Sequence, residues 1–323
     1  MSFDRIRPLL WNAASFGIAG LCIFALLRTA SANLHARGIA SGFGFLAASA
    51  RLPIADAPAW FDSGHATYAQ ALLVGVVNTL EIALVAMLLA TVVGVAVGAG
   101  RLSLHPLARA VCTTYVEAMR NVPVLLHIFL WYQLAINLPG PTEAYHPFGL
   151  AILSNRGLFL PALTLVDGSL AFVVPRPDGF GVDGGIVVSP EYVALLVGIA
   201  SYAAAFVAEI VRAAVLAVPV GQWHAAAALG MTRGTAFTRV VLPQAARMAL
   251  PPLTSEYLGI LKNSSLAVAI GYQDVVAIGN SVLFETGQAI EVVALIMVFY
   301  VGVSLAVSAS MEHLQRRFAL HAR

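Results

Sequence analysis

The sequence predicts an all-α, polytopic transmembrane helical bundle of about six spans, with both termini on the cytoplasmic side. Three observations carry that expectation: composition, the placement of long apolar runs, and the sidedness of the basic residues. Of 323 residues, 59% are hydrophobic and 11% charged, and mean hydropathy is +0.85. Soluble domains average roughly 45–50% and about 25%. So much apolar surface cannot be hidden inside a water-soluble fold, and lipid must be one of the solvents. The net charge of +2 comes from scattered residues, which excludes a basic groove and so a nucleic-acid partner. Cys22 and Cys112 lie far apart in or beside apolar runs, without the C-x-x-C spacing of a metal or redox pair.

A helix crosses the hydrocarbon layer with about 20 apolar residues. The first such run, 9–27, is flanked by Arg7 and Arg28. It is longer than a signal-peptide core of roughly 7–15 residues, so an uncleaved anchor is expected although Ala30-Ser31-Ala32 resembles a cleavage site. Further spans are expected at 69–100, 111–138, 189–216, 248–271 and 291–311. Ser189 and Pro190 suit the start of the fourth, as cap and first helical residue. The stretch 157–175 is apolar but holds Pro161, Asp167, Gly168 and Pro175, and is expected to be ordered external structure. Arginines at 5, 7, 101, 109, 120, 212, 233, 239, 247, 316, 317 and 323 fall on the side of the termini. That is 12 of the 18 basic residues, so the termini are expected in the cytoplasm. The chain divides into an N-terminal anchor and external connector (1–68), a transmembrane domain (69–311) and a cytoplasmic tail (312–323). The domain carries an external insertion at 139–189 and a cytoplasmic loop at 217–247. Gly94 and Gly98 form G-x-x-x-G, which serves either packing within the chain or contact between subunits.

Several chemistries are missing from the sequence. The single lysine, Lys262, is followed by Asn263, so no P-loop exists. There is no H-E-x-x-H, no nucleophile elbow and no His/Cys/carboxylate cluster at metal-ligand spacing. No enzyme, metal site or cofactor is expected in this chain. The regular feature is the loop from Val218 to Pro243, VPVGQWHAAAALGMTRGTAFTRVVLP. A short helix over 222–229 should stop at Gly230, and Thr232 can cap a second one running to about Val241, with Pro243 marking the return into lipid. An alanine face offers little side chain and fits a partner's groove. A helix resting on lipid would want larger apolar anchors than Trp223 and Leu229.

This loop resembles the cytoplasmic signature loop of ABC-importer permeases. Ala225 and Ala226, Gly230, Val240 and Leu242-Pro243 stand at the pattern's positions, and His224 stands where the family usually has glutamate. Asn78-Thr79-Leu80, Tyr115-Val116-Glu117, Arg120-Asn121-Val122-Pro123 and Lys262-Asn263-Ser264-Ser265-Leu266 are similar to polar amino-acid permeases. The stretches GIASGFGF (38–45), Asn155-Arg156-Gly157-Leu158 and TGQAIE (286–291) are similar to the general L-amino-acid branch. Members of that branch usually have a longer middle section with extra spans. The resemblance implies a type I ABC-importer permease fold in a bacterial inner membrane, translocating amino acids delivered by a periplasmic binding protein. It also implies a separate ATPase, which binds ATP and Mg, and a second permease subunit, a paralogue rather than a second copy. Gln222, Trp223, His224, Ala225, Ala226, Gly230, Arg233 and Pro243 would form the ATPase-coupling loop.

Polar groups inside a membrane are costly and are functional candidates by default. The expected substrate path holds Glu256, Lys262, Asn263, Ser264 and Ser265, which together offer donors for a carboxylate and an anion for an ammonium. The competing role of Lys262 is structural, neutralised by Glu256 or by carbonyls. Glu117 with Arg120 and Glu209 with Arg212 are spaced i,i+3 and are expected as structural ion pairs. His127 is expected to be a packing residue, and Trp131 and Tyr132 interfacial anchors. The rival function is an ion-coupled secondary transporter of amino acids or other small polar solutes. It would want inverted repeats, and it leaves the alanine loop without a role.

Overall fold

A computed structural model describes residues 41–320 except 167, 168 and 180, together with scattered positions between 11 and 33. The predicted first span at 9–27 and the cleavage-like Ala30-Ser31-Ala32 lie largely outside the described residues.

Helix α1, Tyr68–Arg101, opens with a capping box. The Thr67 hydroxyl accepts from the Gln70 N–H at 3.4 Å and the Gln70 Oε1 from the Thr67 N–H at 2.9 Å. The predicted third span is corrected. It is two helices, α2 (Pro106–Arg120) and α3 (Val124–Ile136), broken at Asn121-Val122-Pro123. Proline removes a donor and disfavours helical backbone in the residue before it. With 13 residues α3 is about 20 Å long, short of the roughly 30 Å core of a bilayer. Helix α4, Pro190–Leu216, begins as expected, with the Ser189 hydroxyl accepting from the Tyr192 N–H at 3.1 Å.

The insertion between α3 and α4 is built of short strands. A three-stranded antiparallel sheet has β1 (Ile152–Ser154), β2 (Gly157–Leu160) and β7 (Ile186–Val188) in that order. Two hairpins, β3–β4 (Ala162–Val166, Ser169–Val173) and β5–β6 (Arg176–Asp178, Gly181–Asp183), lie between β2 and β7. The described residues of 157–175 therefore form strands and short links between them, not a helix.

After α4 come α5 (Val220–Ala228) and α6 (Arg233–Ala236). A π turn over Phe237–Val241 then leads into α7 (Leu242–Asn263). The predicted fifth span, 248–271, ends differently from expectation. Helix α7 tightens into a 3-10 turn at Ser264–Ile270, Gly271 takes a left-handed conformation at φ +85°, and α8 (Val275–Thr286) leaves at 53° to the preceding helix. Helix α9, Ala289–Leu320, completes the described chain. Among the described residues three helices are long and apolar enough to cross a membrane: Tyr68–Arg101, Pro190–Leu216 and Ala289–Arg317. The bent pair formed by 233–270 and 275–286 makes a fourth at most.

Small residues set the core. A Cβ built on Gly94 would lie 2.5 Å from Val207 Cβ and 2.9 Å from Ala204 O, and one on Gly98 would lie 2.8 Å from Ala208 O. The G-x-x-x-G motif therefore brings α1 against α4 of the same chain. Around that contact Ile82, Ala86 and Ala90 of α1, Ile128 of α3, Leu195 and Ile199 of α4, Ile260 of α7 and Tyr272 form one buried cluster. Trp131 and Tyr132, expected as interfacial anchors, are partly buried and pack against it. Leu84, Leu88 and Val92 of α1, with Met297, Val298, Val301 and Leu305 of α9, point outward as a lipid face would.

A second cluster lies at the end of the bundle opposite the 217–247 loop. Residues 43–66 run across that end as a strap, with Phe45, Leu52 and Ile54 buried against Tyr68, Val74, Ile278, Val282 and Val292. Gln273, in the break before α8, holds the strap in both directions. Its Oε1 accepts from the Ala55 N–H at 2.6 Å and its Nε2 donates to the Pro53 carbonyl at 3.1 Å.

Candidate functional site: the 217–247 loop and the α7 face

The loop is assembled from local signals. Helix α5 ends where Gly230 adopts φ +76°, with the Gly230 N–H donating to Ala227 O at 2.9 Å and the Met231 N–H to Ala226 O at 3.0 Å. The Thr232 hydroxyl then accepts from the Thr235 N–H at 3.3 Å and starts α6. The second short helix does not end near Val241, as the sequence suggested. It passes through the π turn into α7, so α6 and α7 form one continuous rod. The wide turn falls just before Pro243, the point at which the helical ladder loses a donor.

Ala226 is buried, while Gln222, His224, Ala225, Ala227 and Leu229 are exposed. Trp223 stacks on Phe237 with ring centroids 6.4 Å apart, tying α5 to the rod. Gln244 Nε2 reaches Gln222 Oε1 at 3.3 Å and Val240 O at 2.9 Å. Between the short helices lies an open cup of about 540 Å³, lined by Trp223, His224, Ala227, Met231, Arg233 and Phe237. Among the described residues Arg233 and Arg239 make no salt bridge, so the loop presents uncommitted positive charge beside an alanine surface.

The α7 residues are not brought together as expected. The Ser264 hydroxyl is buried and donates to Leu261 O at 2.7 Å, and that of Ser265 donates to Lys262 O at 2.7 Å. Both hydroxyl protons are thus spent on backbone. Lys262 is exposed, next to Asn263, and makes no ion pair with Glu256. Six residues separate the two, about 9 Å along the helix. Glu256 instead lines a cavity of about 360 Å³ between α4 and α7, together with Arg120, Phe206, Glu209 and Met248.

Of the two expected ion pairs, one forms. Arg212 grips Glu209 as a fork, Nε to Oε2 at 3.0 Å and Nη2 to Oε1 at 2.6 Å, and Arg101 at the end of α1 joins them on Oε2. Arg120 does not pair with Glu117. Its guanidinium lies 5.0 Å over the Phe206 ring, because the break at Pro123 ends α2 there and leaves Arg120 beside α4. His127 is buried, with Nε2 3.1 Å from Met119 O and its ring 5.8 Å from that of Tyr202, a packing residue as expected. Asn78 donates to Gln273 O at 3.0 Å, and the Thr79 hydroxyl accepts from the Val275 N–H at 3.0 Å, so both pin the break before α8. Sequence spacing missed Arg101 as a partner of Glu209 and Arg120 as a cavity residue, since neither relation is local.

Residues 90–320, which include the loop and the α7 face, match the family of binding-protein-dependent transport system inner membrane components. The chain belongs to this family. The permease is 38% identical to the putative amino-acid ABC transporter permease protein YhdX of Escherichia coli (strain K12), over 89% of this chain and 88% of that one. It is 37% identical to the general L-amino acid transport system permease protein AapQ of Rhizobium johnstonii, over 98% and 93%. The aligned lengths, 346 and 374 positions, exceed the 323 residues of this permease, so these relatives carry residues that it lacks. The crystal structure of an amino acid ABC transporter with histidines has the same fold. Its TM-score is 0.58 at 24% identity, covering 77% of this chain and 95% of that one. An inward-facing MetNI methionine ABC transporter follows, with a TM-score of 0.53 at 17% identity over 77% and 96%. Family membership makes this chain a membrane permease component, not an enzyme, and implies an ATPase and a binding protein as its partners.

Proposed function

We propose that this permease carries amino acids, delivered by a periplasmic binding protein, across a bacterial inner membrane. A separate ATPase, which binds ATP and Mg, drives it through the 217–247 loop. The observation that carries this reading is the cup between α5 and α6. It is exposed, preformed and bordered by the uncommitted Arg233, with α6 continuous into α7. A rigid rod of this kind can turn a movement of the partner into a movement of the membrane helices. Gln222, Trp223, His224, Ala225, Ala226, Gly230, Arg233 and Pro243 are the coupling residues in this reading. The termini lie in the cytoplasm, as the distribution of arginines favours. A second permease, a paralogue, covers the face of α7 that carries Ser255, Glu256 and Lys262. Lipid is a poor neighbour for an exposed lysine and a half-buried glutamate at membrane depth. Lys262 and Asn263 line the path between the two permeases, and Ser264 and Ser265 shape the turn beside them.

The test is to tag the permease, solubilise it gently, identify what co-purifies, and reconstitute the assembly in liposomes. An ATPase and a paralogous permease are expected, with uptake of amino acids that needs ATP and not an ion gradient. Recovery of the chain alone, moving solute down an ion gradient without ATP, would replace this reading with the secondary-transporter one.

A further inference from the structure

A cavity of about 200 Å³ lies where the insertion meets the bundle. Trp131 and Leu134 of α3 form one wall, Val193 and Val197 of α4 a second, and Ser154 and Leu158 of the sheet a third. The sheet is clamped at the head of α4. Strand β7 runs straight into the Ser189 cap, and β2 passes so near it that a Cβ added to Gly157, at φ +127°, would lie 2.3 Å from Val188 O. Among the described residues that line the cavity none is charged. The one hydroxyl, on Ser154, is spent on its own turn: it donates to Gly157 O at 3.5 Å and accepts from the Arg156 N–H at 3.2 Å. A zwitterionic solute would find no counter-charge here. Water has little reason to enter either, since an apolar cavity of roughly 150 Å³ stays dry. Hydrocarbon suits these walls, and it has a way in. Leu126, Leu130 and Leu134 stand four residues apart along one face of α3 and are 54%, 56% and 53% exposed. In a membrane permease such a stripe meets acyl chains, which are as apolar as leucine. Leu134 belongs both to the stripe and to the cavity lining, so the cavity opens onto the lipid face of α3.

We propose that this groove binds one acyl chain of a phospholipid from the leaflet on the insertion side. Its volume lies below the roughly 300–1,000 Å³ usual for small-molecule sites, so it takes the end of a chain while the headgroup stays with the bilayer. The chain packs between Trp131 and Val193 and ties the insertion to α3 and α4. The site does not depend on which solute the permease carries.

The test uses the full chain in detergent micelles, with Trp11, Trp60 and Trp223 changed to phenylalanine so that Trp131 alone reports. The probe is phosphatidylcholine brominated along its acyl chains, which quenches tryptophan fluorescence on contact. Quenching is expected to level off at a single lipid per chain. Val193→Phe and Val197→Phe, which fill the groove, should each raise the lipid content at half-quenching more than about fivefold. Native mass spectrometry of the gently solubilised assembly should find one more phospholipid retained per permease in the parent than in the filled variants. Where a filled variant fails to fold, the parent's quenching curve and its retained lipid decide. Quenching that climbs in proportion to the brominated lipid without levelling assigns Trp131 to ordinary bilayer contact and removes the site. Saturation by brominated stearic acid and not by phosphatidylcholine gives the groove to a free fatty acid and overturns the proposal. A parent assembly that retains no phospholipid overturns it as well.

Discussion

The loop at 217–247 and the strap at 43–66 close opposite ends of the same bundle by opposite means. The loop is held together by near neighbours. Gly230 ends one helix, Thr232 starts the next, and Trp223 meets Phe237 only 14 positions away. The strap borrows its order from far along the chain. Its N-terminal flank donates from the Gly42 N–H to Glu291, its middle is gripped by Gln273, and Asp56 accepts from the Ser189 hydroxyl at 2.9 Å. A surface offered to a partner has to be complete before the partner arrives, so it is built from local caps. A strap over a break in the helices needs no shape of its own, because the buried Leu52 and Ile54 and the distant side chains supply it.

The largest effect that would sharpen this contrast is expected from Gly230→Asp. Beyond its chain neighbours no described residue lies within 4 Å of a Cβ at this position, and aspartate tolerates left-handed backbone better than most residues. The chain should therefore insert and fold, while ATP-driven uptake drops more than about tenfold, a loss above about 1.4 kcal/mol felt at the partner. Normal uptake by this variant would break the docking assignment. Gln273→Ala comes next. It removes two hydrogen bonds to the strap, each worth about 0.5–1.5 kcal/mol. Tryptic cleavage after the exposed Arg51 should rise about five- to 150-fold, and an unchanged rate would show that the apolar contacts alone hold the strap.

Asp56 gives a smaller, pH-dependent effect. Burial pushes its carboxyl above the ordinary value of 3.8, against the pull of the Ser189 hydrogen bond, with Glu191 and Glu81 adding to the rise. The closed strap therefore binds the proton more readily than the open one. Its protection is full below the ordinary aspartate value and declines as pH rises through the raised one. Hydrogen exchange of residues 50–56 should show that decline, and Asp56→Asn, which keeps an acceptor for Ser189, should flatten it. The smallest effect is expected from His224→Glu, which installs the residue the family usually has. The side chain is exposed, so folding stability should move by less than about 0.5 kcal/mol. Uptake should stay within about threefold of wild type, under about 1 kcal/mol at the barrier.

The same contrast explains what could be read in advance. The caps at Ser189 and Thr232, the stop at Gly230 and the Arg212–Glu209 pair are relations over three or four residues, and each lies where the sequence indicated. The continuous rod through Pro243 did not follow from the sequence, because a π turn absorbs a proline that usually marks a helix boundary. The split of the third span did not follow either, although Pro123 was its visible cause.

By itself the sequence determined that lipid is a solvent of this chain, where the first short helix of the loop stops and where the second one starts. Those outcomes depend on composition and on backbone hydrogen bonds between near neighbours. Only the tertiary structure decided that Gly94 and Gly98 face α4 of the same chain, that Arg120 leaves Glu117 for Phe206, and that Glu256 parts from Lys262. Each of these turns on which helices meet and at what rotation, and that is fixed by packing summed over the whole bundle.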